Sequence, residues 1–307
     1  MQKVYFLDSV HSILEERLTN AGYLCIDCTN SPLNELSKMI EDASGIVLRS
    51  RITLNEEVLR NASNLQFIAR SGSGLENIDL DYCKKKKIKV YSSPEGNRNA
   101  VAEHCLGFLL SLFNNFKQAQ CDIQNGEWLR EKNRGIEISN LCVGIIGYGN
   151  NGRAFAEKLS SIGVKVLVYD KYVNGFSKEG IFESNMEEIF KESNVISFHV
   201  PLTTETRYIA DYQFFNNFKK PIWVLNISRG KVLKTKDLIR GLNEGLVCGA
   251  ALDVLDEESK SFDINSSNRI LMDLNNRSNV IITPHVAGWT KESYFKLSNV
   301  LADKILE

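Results

Sequence analysis

The 307-residue sequence predicts an α/β fold with two doubly wound parallel sheets. Short apolar strands alternate with helical segments along the chain, which is the pattern of parallel sheets covered by helices on both faces. A glycine-rich turn at 147–152 joins a buried strand to a helix and indicates where a second α/β unit lies. Polar residues follow many of the predicted strands, at the edge where open parallel sheets bind ligands.

The first 120 residues contain the elements of one such unit. Strands are predicted at 4–7, 23–26, 45–48 and 65–69, and helices at 11–21 and 55–61, with another helix that begins at Ser31 and Pro32 and carries Leu33, Leu36 and Ile40 on one face. The stretch 92–98 is rich in turn-forming residues and is expected to be a hinge. The long helix predicted at 99–119 is more apolar than one buried face requires, so we expect it to pack between domains or subunits.

Composition excludes several functional classes. The formal net charge of -1 gives no electrostatic reason to expect binding to nucleic acid or to an anionic membrane. No apolar segment approaches the ~18 residues of a membrane span, and the N-terminus has the pattern of a strand rather than a signal peptide. The seven cysteines are scattered, and Cys25 and Cys28 lack the second pair that a zinc site needs. We therefore expect a cytoplasmic protein without a metal site.

The glycine-rich turn predicts a dinucleotide site. Gly147, Gly149 and Gly152 have the spacing G-x-G-x-x-G between a strand and a helix, which brings backbone amides to a pyrophosphate. The next strand ends at Asp170, where a carboxylate can accept both hydroxyls of an adenosine ribose and would repel a 2′-phosphate. The pattern therefore predicts NAD as the cofactor.

Further polar residues fall at or just after strand ends. In the second half of the chain these are His199, Arg229, Asp253 and His285. In the first half, the segment Arg70–Gly74 contains two serines and two glycines, which can present a row of backbone amides to a carboxylate. An ordinary flexible turn is the alternative for this segment taken by itself. His104 lies within the long predicted helix, and we expect it to be structural.

Taken together, these motifs resemble the D-isomer-specific 2-hydroxyacid dehydrogenases over nearly the whole chain. The matching segments are 72–79, 94–98, 102–104, 147–152, Asp170, 197–203, 226–230, 251–258 and 283–288. The resemblance implies a Rossmann NAD-binding domain, residues 99–285, inserted into a flavodoxin-like substrate domain formed by residues 1–98 and 286–307. It also implies a homodimer, in which the apolar helix 99–119 contributes to the interface.

The resemblance makes Arg229, Glu258 and His285 the catalytic residues. A histidine exchanges protons near neutral pH, so His285 can protonate the carbonyl oxygen that receives negative charge during hydride transfer. Glu258 would orient the imidazole, and Arg229 would bind the substrate carboxylate through its planar fork of donors. Only the register distinguishes Glu258 from the adjacent Glu257. The family often has proline after this glutamate, whereas here Ser259 follows, so the loop is expected to differ in shape.

The resemblance also assigns binding residues. For the cofactor they are Gly147, Gly149, Asn150, Asn151, Gly152, Asp170, His199, Val200, Pro201, Ile227, Ser228, Asp253, His285 and Gly288. For the substrate they are Arg49, Arg70, Ser73, Gly74, Arg229 and Trp289. Asn150 and Asn151 replace the more usual residues between the second and third glycines, a change that should be tolerated because backbone amides bind the phosphates.

Within the family, segments 94–104 and 287–293 look most like phosphoglycerate dehydrogenases. Four arginines near strand ends and the predicted hinge, namely Arg49, Arg51, Arg70 and Arg98, agree with a phosphorylated substrate, although some of them could instead form surface ion pairs. The expected reaction is oxidation of 3-phosphoglycerate to 3-phosphohydroxypyruvate, without the appended regulatory domain that many such enzymes carry. A glyoxylate or hydroxypyruvate reductase is the enzymatic alternative, and an NAD-sensing corepressor is the alternative from another class.

Overall fold

The computed structural model describes residues 1–32, 35–258, 264 and 268–307. The chain divides into two compact units. Unit 1 contains Met1–Arg98 and Trp289–Glu307, and unit 2 contains Asn99–Glu258 and Ile264–Gly288. The boundary at which the chain returns to unit 1 lies after Gly288, three residues later than the boundary predicted after residue 285. Leu33, which was assigned to a predicted helix, and Ser259 lie outside the described residues.

Unit 1 is built on five parallel strands in the order β2-β1-β3-β4-β5. The strands are β1 (Lys3–Phe6), β2 (Leu24–Asp27), β3 (Gly45–Leu48), β4 (Phe67–Arg70) and β5 (Lys89–Ser92). The helices are α1 (Ile13–Asn20), α2 (Leu36–Met39), α3 (Glu56–Leu59), α4 (Leu80–Lys86), the first residues of α5 (Pro94–Phe113), and the C-terminal helix α12 (Lys291–Leu306). This strand order is that of flavodoxin-like sheets.

Unit 2 is built on seven parallel strands in the order β12-β11-β10-β9-β6-β7-β8. The strands are β6 (Cys142–Ile146), β7 (Lys165–Tyr169), β8 (Ile181–Glu183), β9 (Val195–Phe198), β10 (Ile222–Asn226), β11 (Val247–Leu252) and β12 (Val280–Ile282). The helices are the rest of α5, α6 (Phe116–Gln124), α7 (Asn150–Ser161), α8 (Met186–Glu192), α9 (Tyr212–Asn216), α10 (Thr235–Asn243) and α11 (Arg269–Asn275).

These two strand orders confirm the predicted fold class. Starting from β8, the larger sheet has the Rossmann order 3-2-1-4-5-6 with one further strand. The order reverses between β6 and β9, and ligands of such sheets bind outside the carboxyl ends of the strands at this point. Both central strands, β6 and β9, are buried throughout, which explains why their sequences do not alternate between apolar and charged residues.

The prediction of a single helix at 99–119 was wrong, and residues 94–98, predicted to be turn-rich, are helical, although the division between the two units does fall after Arg98. The helix α5 already begins at Pro94, since proline is well tolerated in the first turn of a helix. It ends at Phe113, and Asn115 adopts a left-handed conformation with a φ of 52° before α6 begins at Phe116. Asparagine is one of the few residues that adopt this conformation readily, so the break is encoded locally.

Most of the apolar surface of α5 is buried in the core of unit 2. The residues involved are Val101, Ala102, Cys105, Phe108, Leu109, Leu112 and Phe113, which pack in one cluster with residues of β6, β7 and α7. The high apolar content of this helix therefore reflects burial within its own unit. Among the described residues, no helix is long and apolar enough to cross a membrane.

Candidate active site

The glycine-rich turn between β6 and α7 has the geometry of a phosphate-binding loop. Gly147 has a φ of 99°, a conformation that residues with a side chain rarely adopt. A Cβ atom at Gly152 would lie 2.0 Å from the carbonyl oxygen of Gly147, so only glycine fits there. At Gly149, by contrast, a Cβ atom would have no neighbour within 4 Å. The structure thus leaves open space beside Gly149, where a pyrophosphate would approach the backbone.

Asp170, directly after β7, connects this turn to the neighbouring strand. Its carboxylate accepts a hydrogen bond from the Tyr148 amide at 2.6 Å. It also accepts bonds from the Tyr172 amide at 2.8 Å and the Val173 amide at 3.0 Å. Three backbone donors therefore fix the carboxylate at the end of β7. Its predicted contact with an adenosine ribose would add to these bonds.

His199, at the end of β9, lies behind the glycine loop. Its Nε2 is 2.8 Å from the Ser197 hydroxyl, and its ring packs against Phe155 of α7 at 5.5 Å between centroids. Burial lowers the pKa of His199 to about 3, so the ring is neutral at physiological pH. The side chain is thus directed toward interior residues of unit 2, and its predicted contact with the cofactor stays a prediction.

Asp253, after β11, holds the segment that follows β12. The backbone oxygen of Asp253 accepts a hydrogen bond from the His285 amide at 2.8 Å. Its carboxylate accepts one bond each from the Val286 and Ala287 amides, both at 2.8 Å. His285 itself has a φ of 54°, which is uncommon for a residue other than glycine. Three consecutive amides bound to one residue stabilise this conformation.

His285 and Glu258 form a hydrogen-bonded pair. The distance between Nδ1 of His285 and Oε2 of Glu258 is 2.9 Å. The second carboxylate oxygen of Glu258 accepts a bond from the Leu255 amide at 2.8 Å, which fixes the orientation of the carboxylate. Both side chains are more than four-fifths buried. The geometry therefore distinguishes Glu258 from Glu257, as the register indicated.

Glu257 has different surroundings. Burial, reinforced by the neighbouring Asp256 carboxylate, raises the pKa of Glu257 to about 7. Its Oε2 atom is buried and has no hydrogen-bond partner among the described residues. Asp256 instead accepts hydrogen bonds from the hydroxyl and amide of Thr235 at the start of α10.

His104 of α5, which we expected to be structural, contacts this site through Thr283. Its Nε2 is 3.0 Å from the Thr283 hydroxyl, which in turn donates to the Asp253 carboxylate at 2.5 Å. Because the hydroxyl proton goes to Asp253, His104 must donate from Nε2. Burial lowers the pKa of His104, an effect that the Asp253 carboxylate opposes. The sequence offered no pattern linking residues 104 and 283.

Arg229 lies in a tightly packed turn after β10. The Asn226 side chain accepts from the Ser228 hydroxyl at 2.8 Å and donates to the Arg229 carbonyl at 3.1 Å. A Cβ atom at Gly230 would lie 1.8 Å from the Leu255 carbonyl oxygen, so the turn packs closely against the loop that carries Glu258. Arg229 and Glu258 are thus held in adjoining loops of unit 2.

In unit 1, the turn after β4 presents two unused backbone donors. Within the described part of the chain, the amides of Ser73 and Gly74 donate no hydrogen bond. The Ser73 hydroxyl donates to the Asn97 side chain at 3.0 Å, which anchors the turn. The guanidinium of Arg70 packs directly against Gly72. Open backbone amides of this kind are donors for a carboxylate, and the contact with the substrate stays a prediction.

Three comparisons place the chain among known proteins. Residues 106–287 match the family model of the D-isomer specific 2-hydroxyacid dehydrogenase, NAD binding domain. The D-3-phosphoglycerate dehydrogenase of Homo sapiens is 30% identical over 309 residues, a match that covers 100% of this chain and 56% of the human protein. The hydroxypyruvate reductase of Thermotoga maritima is 30% identical over 307 residues, with 99% of this chain and 97% of that protein covered. The chain belongs to the D-isomer specific 2-hydroxyacid dehydrogenase family.

A solved structure agrees with this assignment. The D-lactate dehydrogenase of Aquifex aeolicus, complexed with NAD and lactic acid, superimposes with a TM-score of 0.84 at 29% identity. The match covers 99% of this chain and 94% of that one. The chain spans about half the length of the phosphoglycerate dehydrogenases that it matches. Membership of the family confirms the predicted cofactor, because the matched model is its NAD-binding domain.

The other predicted cofactor residues of this family member surround the same strand ends. They are Asn150 and Asn151 in the first turn of α7, Val200 and Pro201 after β9, Ile227 and Ser228 after β10, and Gly288 after β12. The Asn151 side-chain oxygen is buried without a hydrogen-bond partner in the described chain. In the part of the chain that the structure describes, no group of three or more histidine, cysteine or acidic side chains is placed to hold a metal ion.

The open space beside Gly149 gives a test of the cofactor site. Gly149→Ala should fold normally, since the added methyl group meets no neighbour, and should weaken NADH binding by roughly tenfold or more because it occupies the pyrophosphate position. Gly107→Ala on α5 is a matched control, because its methyl group also meets nothing within 4 Å. Fluorescence titration with NADH would measure both. Equal affinity in the two variants would contradict the assigned loop.

Proposed function

We propose that the protein is an NAD-dependent dehydrogenase of D-2-hydroxy acids in which His285 is the acid–base residue. The observation that carries this proposal is the 2.9 Å hydrogen bond between His285 and Glu258 in a largely buried setting. A carboxylate only accepts hydrogen bonds, so Nδ1 of His285 carries a proton toward Glu258. Nε2 is then the ring atom that exchanges a proton with the substrate oxygen.

The charges that develop in the transition state explain the roles that we assign to the remaining residues. The nicotinamide of NAD supplies or accepts the hydride. Reduction of a 2-oxo acid places negative charge on the carbonyl oxygen. We assign the stabilisation of this charge to His285 and to the guanidinium of Arg229. Glu258 accepts the hydrogen bond from Nδ1 and holds the orientation of the imidazole. We assign the amides of Ser73 and Gly74 to the substrate carboxylate, because they donate to no group of the described chain.

Adjacent glutamates allow a controlled test of the acid–base assignment. Glu258→Gln should lower kcat by roughly 100-fold or more, since the amide cannot stabilise the imidazolium, while NADH still binds. Glu257→Gln should retain near-normal kcat, because this side chain does not contact His285. His285→Ala should lose at least as much activity as Glu258→Gln. Steady-state kinetics of oxo-acid reduction would show the difference, and similar kcat values for the two glutamine variants would refute the assignment.

For the substrate, we propose 3-phosphoglycerate, oxidised to 3-phosphohydroxypyruvate in the first committed step toward serine. Arg49 and Arg70 support this choice. Leu48 pairs with Arg70 in the sheet, so Arg49 and Arg70 lie at adjacent strand ends of unit 1. A phosphate with a charge of about -1.5 to -2 is bound best by such paired guanidinium groups. A cytoplasmic location would agree with this reaction.

Hydroxypyruvate or glyoxylate reduction is the second candidate. It is favoured by the Thermotoga maritima hydroxypyruvate reductase, because the chain matches 97% of its length. In this case the distal end of the substrate is an uncharged hydroxyl group or absent, and the two arginines would bind only the carboxylate. The charge of the distal group therefore separates the two candidates.

A substrate panel decides between them. Purified protein with NADH should reduce phosphohydroxypyruvate with a kcat/KM roughly tenfold or more above that of hydroxypyruvate, glyoxylate and pyruvate. A preference for hydroxypyruvate or glyoxylate would establish the reductase instead. Binding of NADH without turnover of any oxo acid would favour the NAD-sensing corepressor considered from the sequence.

We also propose that two copies of the chain associate through the segment 110–136. Six large apolar side chains of this segment are exposed, namely Leu110, Phe116, Ile123, Trp128, Leu129 and Ile136. Such a concentration is typical of protein interfaces. Sedimentation velocity should show a dimer, and Trp128→Glu, which changes an indole that is 81% exposed, should shift the protein toward monomer without unfolding it. A monomeric wild-type protein would exclude this interface.

A further inference from the structure

The side chain of Arg49 lies on an aromatic ring rather than beside a carboxylate. Its guanidinium carbon is 3.9 Å from the ring centroid of Trp289. Both residues belong to unit 1, although 240 positions separate them in the sequence. Stacking of this kind attracts the cation through the negative face of the indole and leaves the N–H groups in the guanidinium plane available for other partners.

The start of α12 holds the Trp289 ring in place. Thr290 and Ser293 form a reciprocal capping box, with bonds of 3.0 Å and 2.9 Å. Trp289 precedes the cap, and Tyr294 is four residues beyond it, which are the two positions of a hydrophobic staple. Their rings pack edge to face at 5.3 Å between centroids. The indole is therefore a fixed surface, although 45% of the residue is exposed.

Nearby hydrogen bonds keep Arg49 from forming an ion pair. The Asp8 carboxylate accepts the Arg49 amide at 2.6 Å and the Arg51 Nε at 3.0 Å. Within the described residues, the Arg49 guanidinium has neither a salt bridge nor a hydrogen bond. Asn77 fixes the loop from the other side by donating to the Arg49 carbonyl at 2.9 Å. Arg49 is thus a positioned cation whose guanidinium is not directly paired with any carboxylate of the described residues.

We propose that Trp289 determines substrate specificity by holding the Arg49 guanidinium for the distal phosphate, or another dianionic group, of the substrate. This inference rests on the proposed function and assigns the selectivity of the same site to one aromatic residue. An ion pair would have occupied the N–H groups of Arg49 before the substrate arrived, whereas the indole positions the guanidinium and leaves those groups available. An uncharged distal group gains little from this arrangement, so the stack favours phosphorylated substrates.

Two substitutions at position 289 test the proposal. Trp289→Leu removes the aromatic face and should lower the ratio of kcat/KM for phosphohydroxypyruvate to that for hydroxypyruvate by roughly tenfold. Trp289→Phe keeps an aromatic face and should recover most of the ratio. Tyr212→Leu is a matched control, because it removes a comparable stack, 3.6 Å from Arg240, in unit 2. Thermal denaturation would verify that all three variants are folded.

Inhibition by inorganic phosphate separates this inference from the proposed function. Phosphate should compete with hydroxypyruvate, and its inhibition constant should rise roughly tenfold in Trp289→Leu but not in Tyr212→Leu. If the wild-type protein does not prefer phosphohydroxypyruvate, the proposed substrate is wrong, and the phosphate measurement alone judges the role of Trp289. An unchanged substrate ratio and an unchanged phosphate inhibition constant in folded Trp289→Leu would overturn the inference.

Discussion

The buried carboxylate of Asp253 is the interaction on which the candidate site depends. It directly follows β11, and the three consecutive amides of residues 285–287, in the segment after β12, all bind either its backbone or its side chain. These bonds hold His285 in a left-handed conformation that costs a free residue about 1–2 kcal/mol. Without them, the chain after β12 would relax toward an extended conformation, and the imidazole would leave the carboxylate of Glu258. The hydrogen-bonded pair of His285 and Glu258 is therefore a consequence of how two neighbouring parallel strands end.

This dependence extends to α5. Thr283 donates to Asp253 and accepts from His104, so the helix is connected by hydrogen bonds to the segment that carries His285. The Asp253 carboxylate is almost completely buried, and each of its oxygens is an acceptor of at least one bond. Buried polar groups stabilise a structure only when their partners are in place, so loss of one member affects the others. The position of His285 therefore depends on hydrogen bonds that connect α5, the end of β11 and the segment after β12.

The sequence was sufficient for those parts of the structure that are encoded locally. The alternation of strands and helices predicted both parallel sheets, and the spacing of Gly147, Gly149 and Gly152 predicted a turn that the backbone geometry requires. Prediction failed at the end of α5, where one residue, Asn115, adopts a left-handed conformation and separates two helices that were predicted as one. The hydrogen bond between His104 and Thr283 could not be predicted either, because it depends on how a helix packs against the end of a strand far away in the sequence.

The loop after β3 shows why residue type alone does not assign function. Arg49 and Arg51 are two positions apart, and the same sequence argument would assign either of them to an anionic substrate. Asp8 separates them, because its carboxylate binds the side chain of Arg51 but only the backbone of Arg49. One guanidinium is consequently part of the fold, and the other is left with the Trp289 ring as its partner. A single acid just after the first strand thus determines which of two equivalent cations is available to a ligand.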